Sequence, residues 1–216
     1  MDEDDLSLLR EEMVSRQLAS RDIRDTRVLA AFRKVPRHLF VPKNLRSQAY
    51  DDHPVQIGAG QTISQPYMVA LMTQCLKLTG VEKVLEVGTG SGYQSAILAE
   101  LANEVYTIER FEELSGNART VIESLGCGRI HFFVGDGTCG LPEHAPFDRI
   151  IVTAAAPDLP QPLVDQLAEG GILVIPTGGK FSQDLEVVTK KKGMLERRGG
   201  CRCVFVPLIG AYGYPG

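Results

Sequence analysis

The chain has 216 residues, 44% of them hydrophobic and 23% charged, which is typical of one folded domain and excludes a largely disordered protein. Its formal net charge of −4 disfavours strong binding to nucleic acid, because such binding normally depends on a basic surface. The acidic N-terminus lacks a signal-peptide pattern, no apolar run is long enough to span a membrane, and the five cysteines form no Cys-x-x-Cys pair. These features predict a cytoplasmic protein with no membrane segment, no disulfide framework and no metal site.

The first 60 residues are predicted to be helical and then irregular. An apolar stripe of helical period, followed by a cap at Asp25, predicts two helices within residues 6–34, of which the second ends at Val35-Pro36. Prolines and glycines then predict a loop with short strands. We expect residues 1–216 to form a single domain with residues 1–60 as an N-terminal extension. This extension either covers the active site or only packs on the sheet.

The rest of the chain predicts a doubly wound, mostly parallel α/β sheet of Rossmann-like type. Ser64-Gln65-Pro66 begins a third helix, with serine at the cap and proline in the first turn. From Lys83 onward, β-rich runs alternate with helical patterns, which predicts parallel strands with helices on both faces. The predicted strands are Val84–Val87, Val105–Ile108, Ile130–Val134, Arg149–Val152 and Ile172–Ile175, and the predicted helices are Gln94–Leu101, Phe111–Leu125 and Gln161–Leu167. Two antiparallel strands are predicted to close the sheet edge, at Leu185–Lys190 and Cys203–Leu208, with a polar tip around Gly193.

A glycine-rich turn after the first predicted strand indicates a binding site. In Glu86-Val87-Gly88-Thr89-Gly90-Ser91-Gly92, a buried strand runs into glycines that let a ligand approach the backbone, and a helix follows. Tyr93 stands where the dinucleotide motif has its third glycine, which disfavours a nicotinamide-dependent oxidoreductase. A glycine turn without a ligand remains the alternative.

Two carboxylates follow the next two predicted strands. Glu109 ends the second strand, where an acid can accept hydrogen bonds from ribose hydroxyls; alternatively, it is a surface residue paired with an arginine. Asp136, between Gly135 and Gly137, ends the third strand and can accept from an adenine amino group; alternatively, it only shapes the turn. Since ligands bind at the carboxyl ends of such strands, the pattern predicts an adenosine-containing ligand.

These residues resemble the signature of class I S-adenosylmethionine-dependent methyltransferases. Within that class, the chain is similar to the protein-L-isoaspartate (D-aspartate) O-methyltransferases from about residue 10 onward. The segments that carry this narrower resemblance are Gly58-Ala59-Gly60-Gln61-Thr62-Ile63-Ser64-Gln65-Pro66, Val35-Pro36-Arg37-His38-Leu39-Phe40-Val41-Pro42, Ala154-Ala155-Ala156-Pro157 and Phe205-Val206-Pro207-Leu208. Val204 stands where the family often has an arginine, so we assign no substrate contact in the last strand.

The resemblance implies S-adenosyl-L-methionine as methyl donor and L-isoaspartyl residues of damaged proteins and peptides as acceptors, with D-aspartyl residues as additional candidates. Methylation of the free carboxyl group would initiate repair. It implies that Glu109 holds the ribose, that Asp136 and Gly137 meet the adenine, and that Ser64 is the active-site serine. The other implied cofactor-binding residues are Glu86, Gly88, Gly90 and Gly92 of the turn, and Thr62 and Ile63, which with Ser64 separate cofactor from substrate.

Carboxyl methylation requires few catalytic groups. The acceptor is already ionised at neutral pH, because the reference pKa of such a carboxyl group is about 3.5 to 4, so no general base is needed. Positioning of the two reactants can supply roughly 7–11 kcal/mol of the barrier. The Ser64 hydroxyl and the start of its helix can hold the anion, although a plain capping role for Ser64 is the alternative.

Two other functions share the predicted cofactor turn. An RNA adenine methyltransferase would need a basic face, and the only basic runs are Lys190-Lys191-Lys192 and Arg197-Arg198, beside a predicted hairpin tip. A non-enzymatic S-adenosylmethionine-binding module would bind the cofactor without turnover. We expect the isoaspartyl methyltransferase rather than these two functions. Its partners would be damaged proteins, and we expect no nucleic acid, no membrane and no stable partner.

Overall fold

The computed structural model describes residues 2–216, in which helices flank a central sheet. The helices are α1 (Glu3–Glu12, continued by a π-helical stretch Met13–Ala19), α2 (Thr26–Lys34), α3 (Pro66–Cys75), α4 (Tyr93–Ala99), α5 (Glu112–Ser124) and α6 (Gln161–Asp165). The strands are β1 (Val55–Gly58), β2 (Gln61–Ile63), β3 (Lys83–Val87), β4 (Glu104–Glu109), β5 (Ile130–Val134), β6 (Phe147–Val152), β7 (Leu167–Gly179), β8 (Ser182–Lys191) and β9 (Met194–Cys203). Short 3₁₀ helices lie at Arg37–Phe40, Lys43–Gln48, Gly137–Cys139 and Pro142–His144.

The sheet has seven strands in the order β5-β4-β3-β6-β7-β8-β9, and β1 and β2 form a separate hairpin. The first five strands in this order are parallel, and β8 and β9 are antiparallel to their neighbours. The predicted α/β sheet with antiparallel C-terminal strands is therefore confirmed. After β5 the chain crosses from one side of β3 to the other, which opens a crevice at the carboxyl ends of β3, β4 and β6.

The C-terminal strand differs from the prediction. The observed β9 is Met194–Cys203, paired with β8 around a tip at Lys192 and Gly193, so the predicted strand Cys203–Leu208 is wrong. Because β9 is an exposed edge strand, its sequence is polar and lacks a core-facing apolar pattern. Residues 204–208 instead leave the sheet edge and run past Ala155, where the Leu208 amide donates to the Ala155 carbonyl at 2.7 Å.

The ends of several other elements also differ. Strand β7 is longer than predicted and begins at Leu167, where the preceding helix was expected to end. The helix after the hairpin has Gln65 rather than Ser64 at its N-cap, and Pro66 lies in the first turn as predicted. Asp25 caps α2 as predicted, since its carboxylate accepts from the Arg27 amide at 2.9 Å.

The first two helices are part of the main hydrophobic core. Val14, Leu18 and Phe32 are fully buried in one cluster with residues of the sheet and of α3 and α4. The Phe32 ring meets the Tyr93 ring edge-on, with centroids 5.8 Å apart. Residues 6–34 thus pack directly on the domain. Within residues 2–216, we find no helix with both the length and the apolarity to cross a bilayer.

Candidate active site

The glycine-rich turn after β3 needs its glycines for steric reasons. Gly88 and Gly92 have φ angles of +97° and +86°, a region that favours glycine. A Cβ atom on Gly88 would collide with Oγ1 of Thr153, and one on Gly92 would lie 2.9 Å from the Cβ of Ala118. The turn is therefore held tightly between β6 and α5, with its backbone open toward the crevice.

Three clefts that share Thr62 and Thr153 in their linings lie near this turn. The first cleft runs along the carboxyl ends of β3, β4 and β6, and its lining includes Thr62, Gly88, Gly90, Glu109 and Gly137. The second cleft is lined by Thr62, Ile63, Ser64, Gly88 and Gly90 among others. The third shares Thr62 and Ser64 with the second and is also lined by Pro54, Gln65, Met68, Val204, Phe205 and Val206.

Glu109 faces the first cleft from the end of β4. Its side chain is largely buried, and its carboxylate accepts from the Gly90 amide at 2.9 Å and from the Phe111 amide at 3.0 Å. Within residues 2–216, Glu109 makes no ion pair with an arginine, so the surface-pair alternative does not describe it. Each carboxylate oxygen keeps a free lone pair with which it can accept a hydroxyl.

Asp136 and Gly137 differ in their relation to the first cleft. Gly137 lines the cleft, whereas Asp136 does not. The Asp136 carboxylate accepts from the Thr138 amide at 2.9 Å, from the Thr138 hydroxyl at 2.6 Å and from the Ala211 amide at 2.7 Å. Although burial opposes it, these hydrogen bonds lower the pKa of Asp136. Asp136 thus shapes the turn and also binds the C-terminal segment, residues 204–216, through the Ala211 amide.

Glu86 lies beneath the glycine turn and is fully buried. One carboxylate oxygen accepts from the hydroxyls of Ser95 and Thr107, the latter at 2.7 Å, and the Thr107 hydroxyl is 2.7 Å from that of Thr89. Burial raises the pKa of Glu86 to about 8. The structure therefore does not bring Glu86 to the clefts but places it where it supports the turn from below.

The segment Thr62–Ser64, called the partition segment below, contributes to the linings of all three clefts. Thr62 belongs to β2 and lines all three clefts, and Ser64 lines the second and the third. Since the N-cap of α3 is Gln65, Ser64 precedes the helix rather than capping it. Its carbonyl oxygen accepts from the Arg37 guanidinium at 2.8 Å, which fixes the backbone at this point.

Two groups of residues at the site had not been assigned from the sequence. Thr153, directly after β6, lines all three clefts and donates its hydroxyl to the Gly88 carbonyl at 2.6 Å. Because Thr153 lies at the carboxyl end of a strand beside β3, its position could have predicted a place in the site. Phe205 and Val206 also line the clefts, and only the unforeseen path of residues 204–208 brings them there. Within residues 2–216, no His, Cys, Asp and Glu side chains cluster as a metal site would require.

Comparison with known sequences identifies a family over almost the whole chain. The family model described as Protein-L-isoaspartate(D-aspartate) O-methyltransferase matches residues 9–213. A protein-L-isoaspartate O-methyltransferase of Syntrophobacter fumaroxidans is 56% identical over 209 residues, which cover 96% of this chain and 97% of that protein. One from Methanoculleus marisnigri is 54% identical over 207 residues, covering 96% and 94%.

Solved structures agree with this result. A protein-L-isoaspartate O-methyltransferase superposes with a TM-score of 0.83 at 28% identity, covering 94% of this chain and 67% of that one. A structure from Plasmodium falciparum, titled as a putative enzyme of this kind in complex with S-adenosyl-L-homocysteine, gives a TM-score of 0.81 at 27% identity, covering 93% and 98%. This chain belongs to the family of protein-L-isoaspartate(D-aspartate) O-methyltransferases, which are S-adenosylmethionine-dependent enzymes.

Proposed function

We propose that the chain methylates the free carboxyl group of L-isoaspartyl residues in damaged proteins and peptides, with the cofactor in the first two clefts and the acceptor in the third. The observation that carries this assignment is the position of Ser64, which lines both the second and the third cleft. A methyl donor and an acceptor on the two sides of Thr62–Ser64 would meet at one point. D-aspartyl residues are additional candidate acceptors.

The residues of the first two clefts fit S-adenosyl-L-methionine. Glu109 offers acceptors suited to the ribose hydroxyls, and the turn at Gly88 and Gly90 offers open backbone for the methionine part. Gly137 lines the first cleft where an adenine would lie, and Ile209 of the C-terminal segment offers an apolar contact there. When bound, the cofactor supplies an electrophilic methyl group on a positively charged sulfur.

The third cleft suits a carboxylate that needs positioning rather than activation. None of the nine residues that line it is acidic or basic, so an isoaspartyl carboxylate would meet hydroxyl and backbone groups. The Ser64 hydroxyl would donate to one carboxylate oxygen and leave the other oriented toward the second cleft. Because the carboxylate is already ionised at neutral pH, the chain needs no base to remove a proton.

Replacing Ser64 by alanine tests this role. We expect Ser64→Ala to lower kcat for an isoaspartyl peptide by roughly 10- to 100-fold, as for loss of one oriented donor. Affinity for S-adenosylhomocysteine should stay within about twofold, because the cofactor's other contacts remain. Ser124→Ala is the matched control, since that exposed hydroxyl only bonds the Val121 carbonyl of its own helix. An equal loss of turnover and cofactor affinity in Ser64→Ala would contradict the assignment.

The basic runs of the β8–β9 hairpin do not favour the RNA alternative. Lys190 donates to the carbonyls of Val164 and Leu167, Lys191 pairs with Glu196, and Arg197 pairs with Asp158. These contacts leave fewer free cations for phosphate groups. We therefore infer that nucleic acid is not a partner, and that damaged proteins are transient partners.

The five cysteines are all free, which supports a reducing compartment such as the cytoplasm.

We further infer that residues 1–216 act as one domain. Within the N-terminal extension 1–60, Pro54 lines the third cleft, and the hairpin that follows reaches the glycine turn through Ile57. If the extension covers the active site, residues 54–60 would do so. Its helices would support these residues from the core.

A further inference from the structure

Arg37 is a fully buried cation directly behind the partition segment. It lies in the short 3₁₀ helix after α2 and has none of its surface exposed to solvent. Its guanidinium donates from Nε to the Ala49 carbonyl at 2.7 Å and from Nη2 to the Ser64 carbonyl at 2.8 Å. Within residues 2–216, Arg37 forms no salt bridge with a carboxylate, and its Nη1 has no hydrogen-bond partner.

A charge in this position is costly for the fold alone. Burying an ion without a counter-ion is unfavourable, and neutral donors could satisfy the same two carbonyls. Burial lowers the pKa of Arg37 to about 10, which still leaves it protonated at neutral pH. Its guanidinium carbon lies 4.9 Å from the centroid of the Tyr93 ring, a contact that compensates only part of the lost hydration.

The surroundings of Arg37 connect it to the clefts. Tyr93 lines the second cleft together with Ser64, and its buried hydroxyl has no hydrogen-bond partner within the described residues. The third cleft, in which Ser64 also takes part, has no charged residue in its lining. An anion placed there would therefore have the Arg37 charge behind the partition as a nearby compensating charge.

We propose that Arg37 is a positioning residue that fixes the Ser64 backbone and whose buried positive charge favours a carboxylate in the third cleft. The inference rests on the proposed function, since it assumes that the acceptor carboxylate binds in that cleft. Arg37 acts through Ser64 and through its charge, without touching the acceptor. It would thereby contribute to the preference for an ionised substrate over a neutral one.

The test compares a charged ligand with a neutral ligand that differs from it by one methyl group. Affinities for an isoaspartyl peptide and for its methyl ester are measured by calorimetry, with S-adenosylhomocysteine present, for the wild type, Arg37→Gln and Arg37→Lys. We expect Arg37→Gln to weaken binding of the acid at least tenfold and of the ester less than twofold. Equal weakening of both ligands, or no change in either, would overturn the proposal.

A second variant covers the possibility that Arg37→Gln does not fold. In Arg37→Lys, a buried lysine has a lowered pKa and loses its charge as pH rises. The preference for acid over ester should then fall at least threefold between pH 6.5 and 8.5, whereas the wild-type preference stays constant. A constant preference in the lysine variant would also overturn the proposal.

The pH comparison in the lysine variant depends on the other titratable groups that face residue 37. The titratable groups that face Arg37 are Tyr93, Tyr50 and Asp52, and burial raises the pKa of both tyrosines, so neither ionises in this pH range. Wild-type methylation of the isoaspartyl peptide is the control. Its absence would mean failure of the proposed function, whereas its presence with an unchanged acid preference in Arg37→Gln would mean failure of this inference alone.

Discussion

Glu86 is a carboxyl group placed where ionisation is unfavourable. It is fully buried, and burial raises its pKa from 4.5 to about 8, despite hydrogen bonds from Ser95 and Thr107. The folded state therefore holds a proton that the unfolded chain releases. The resulting contribution to stability is fully present below pH 4.5 and is lost as pH rises through about 8.

Replacing Glu86 by glutamine should remove this pH dependence. The amide oxygen can still accept from both hydroxyls, and the variant carries no ionisable group at this position. We expect the wild-type Tm to fall by roughly 5 °C or more between pH 5 and 8.5 relative to Glu86→Gln, as thermal unfolding at several pH values would measure. The exposed Glu123→Gln is the control. Parallel Tm curves for wild type and Glu86→Gln would contradict the assigned pKa.

For single residues, the sequence predicted which ones line the clefts better than it predicted their hydrogen-bond partners. Glu109 and Gly137 were expected at strand ends, and both line the first cleft. Strand periodicity alone does not show that Glu86 faces the interior beneath the turn, since this depends on the packing of α4. Nor could it show that Arg37 contacts Ser64, because that hydrogen bond spans 27 residues of chain.

The C-terminal segment is held by hydrogen bonds to the turn after β5, to Ala155 and to Gly178. The Asp136 carboxylate accepts from the Ala211 amide, and the Thr138 hydroxyl accepts from the Tyr212 amide at 3.1 Å. Leu208 and Ile209 of this segment line the first cleft. Its attachment therefore determines how well that end of the cleft is closed.

Asp136→Asn should loosen this segment. The neutral amide is a weaker acceptor for the Ala211 and Thr138 donors than the carboxylate. We expect faster hydrogen exchange at residues 209–214 and about 5- to 10-fold weaker binding of S-adenosylhomocysteine, which follows from roughly 1 to 1.4 kcal/mol. Asp165→Asn, an exposed carboxylate that bonds Gln161, is the control. Unchanged exchange and unchanged affinity would contradict this role of Asp136.

Helix α2 is attached to the core through Phe32. This side chain is fully buried against the Tyr93 ring, which also lines the second cleft. We expect Phe32→Ala to lower the free energy of unfolding by roughly 3–5 kcal/mol, measured by chemical denaturation. Phe181→Ala is the control, because Phe181 is 92% exposed. A loss below about 1 kcal/mol would mean that the N-terminal helices are only loosely attached.

For the elements, prediction from sequence worked where the periodicity reflects burial. The central, buried strands β3 and β6 end at the predicted residues, Val87 and Val152, whereas the exposed edge strand β9 was missed. Residues 204–208 have a strand-like composition but cross to Ala155, because the apolar groups of Val206 and Leu208 pack beside the site rather than in the sheet edge.

For the whole molecule, the sheet topology follows from the alternation of strands and helices along the chain, which requires parallel strands. The order in which successive strands are added reverses beside β3, and a crevice opens at the strand ends at that point. The glycine turn, Glu109 and Thr153 meet there although they come from three different strands. This topology does not determine the chemistry of the acceptor, which we propose to depend on Ser64 and the third cleft.

The most direct test of this account uses two peptides that differ only in an isoaspartyl or a normal aspartyl linkage. The purified protein is incubated with each peptide and methyl-labelled S-adenosylmethionine, and base-labile label is counted. The account predicts label on the isoaspartyl peptide alone, with Ser64→Ala reducing its rate. Equal labelling of both peptides, or no labelling while the cofactor binds, would contradict the assignment of the third cleft to an isoaspartyl acceptor.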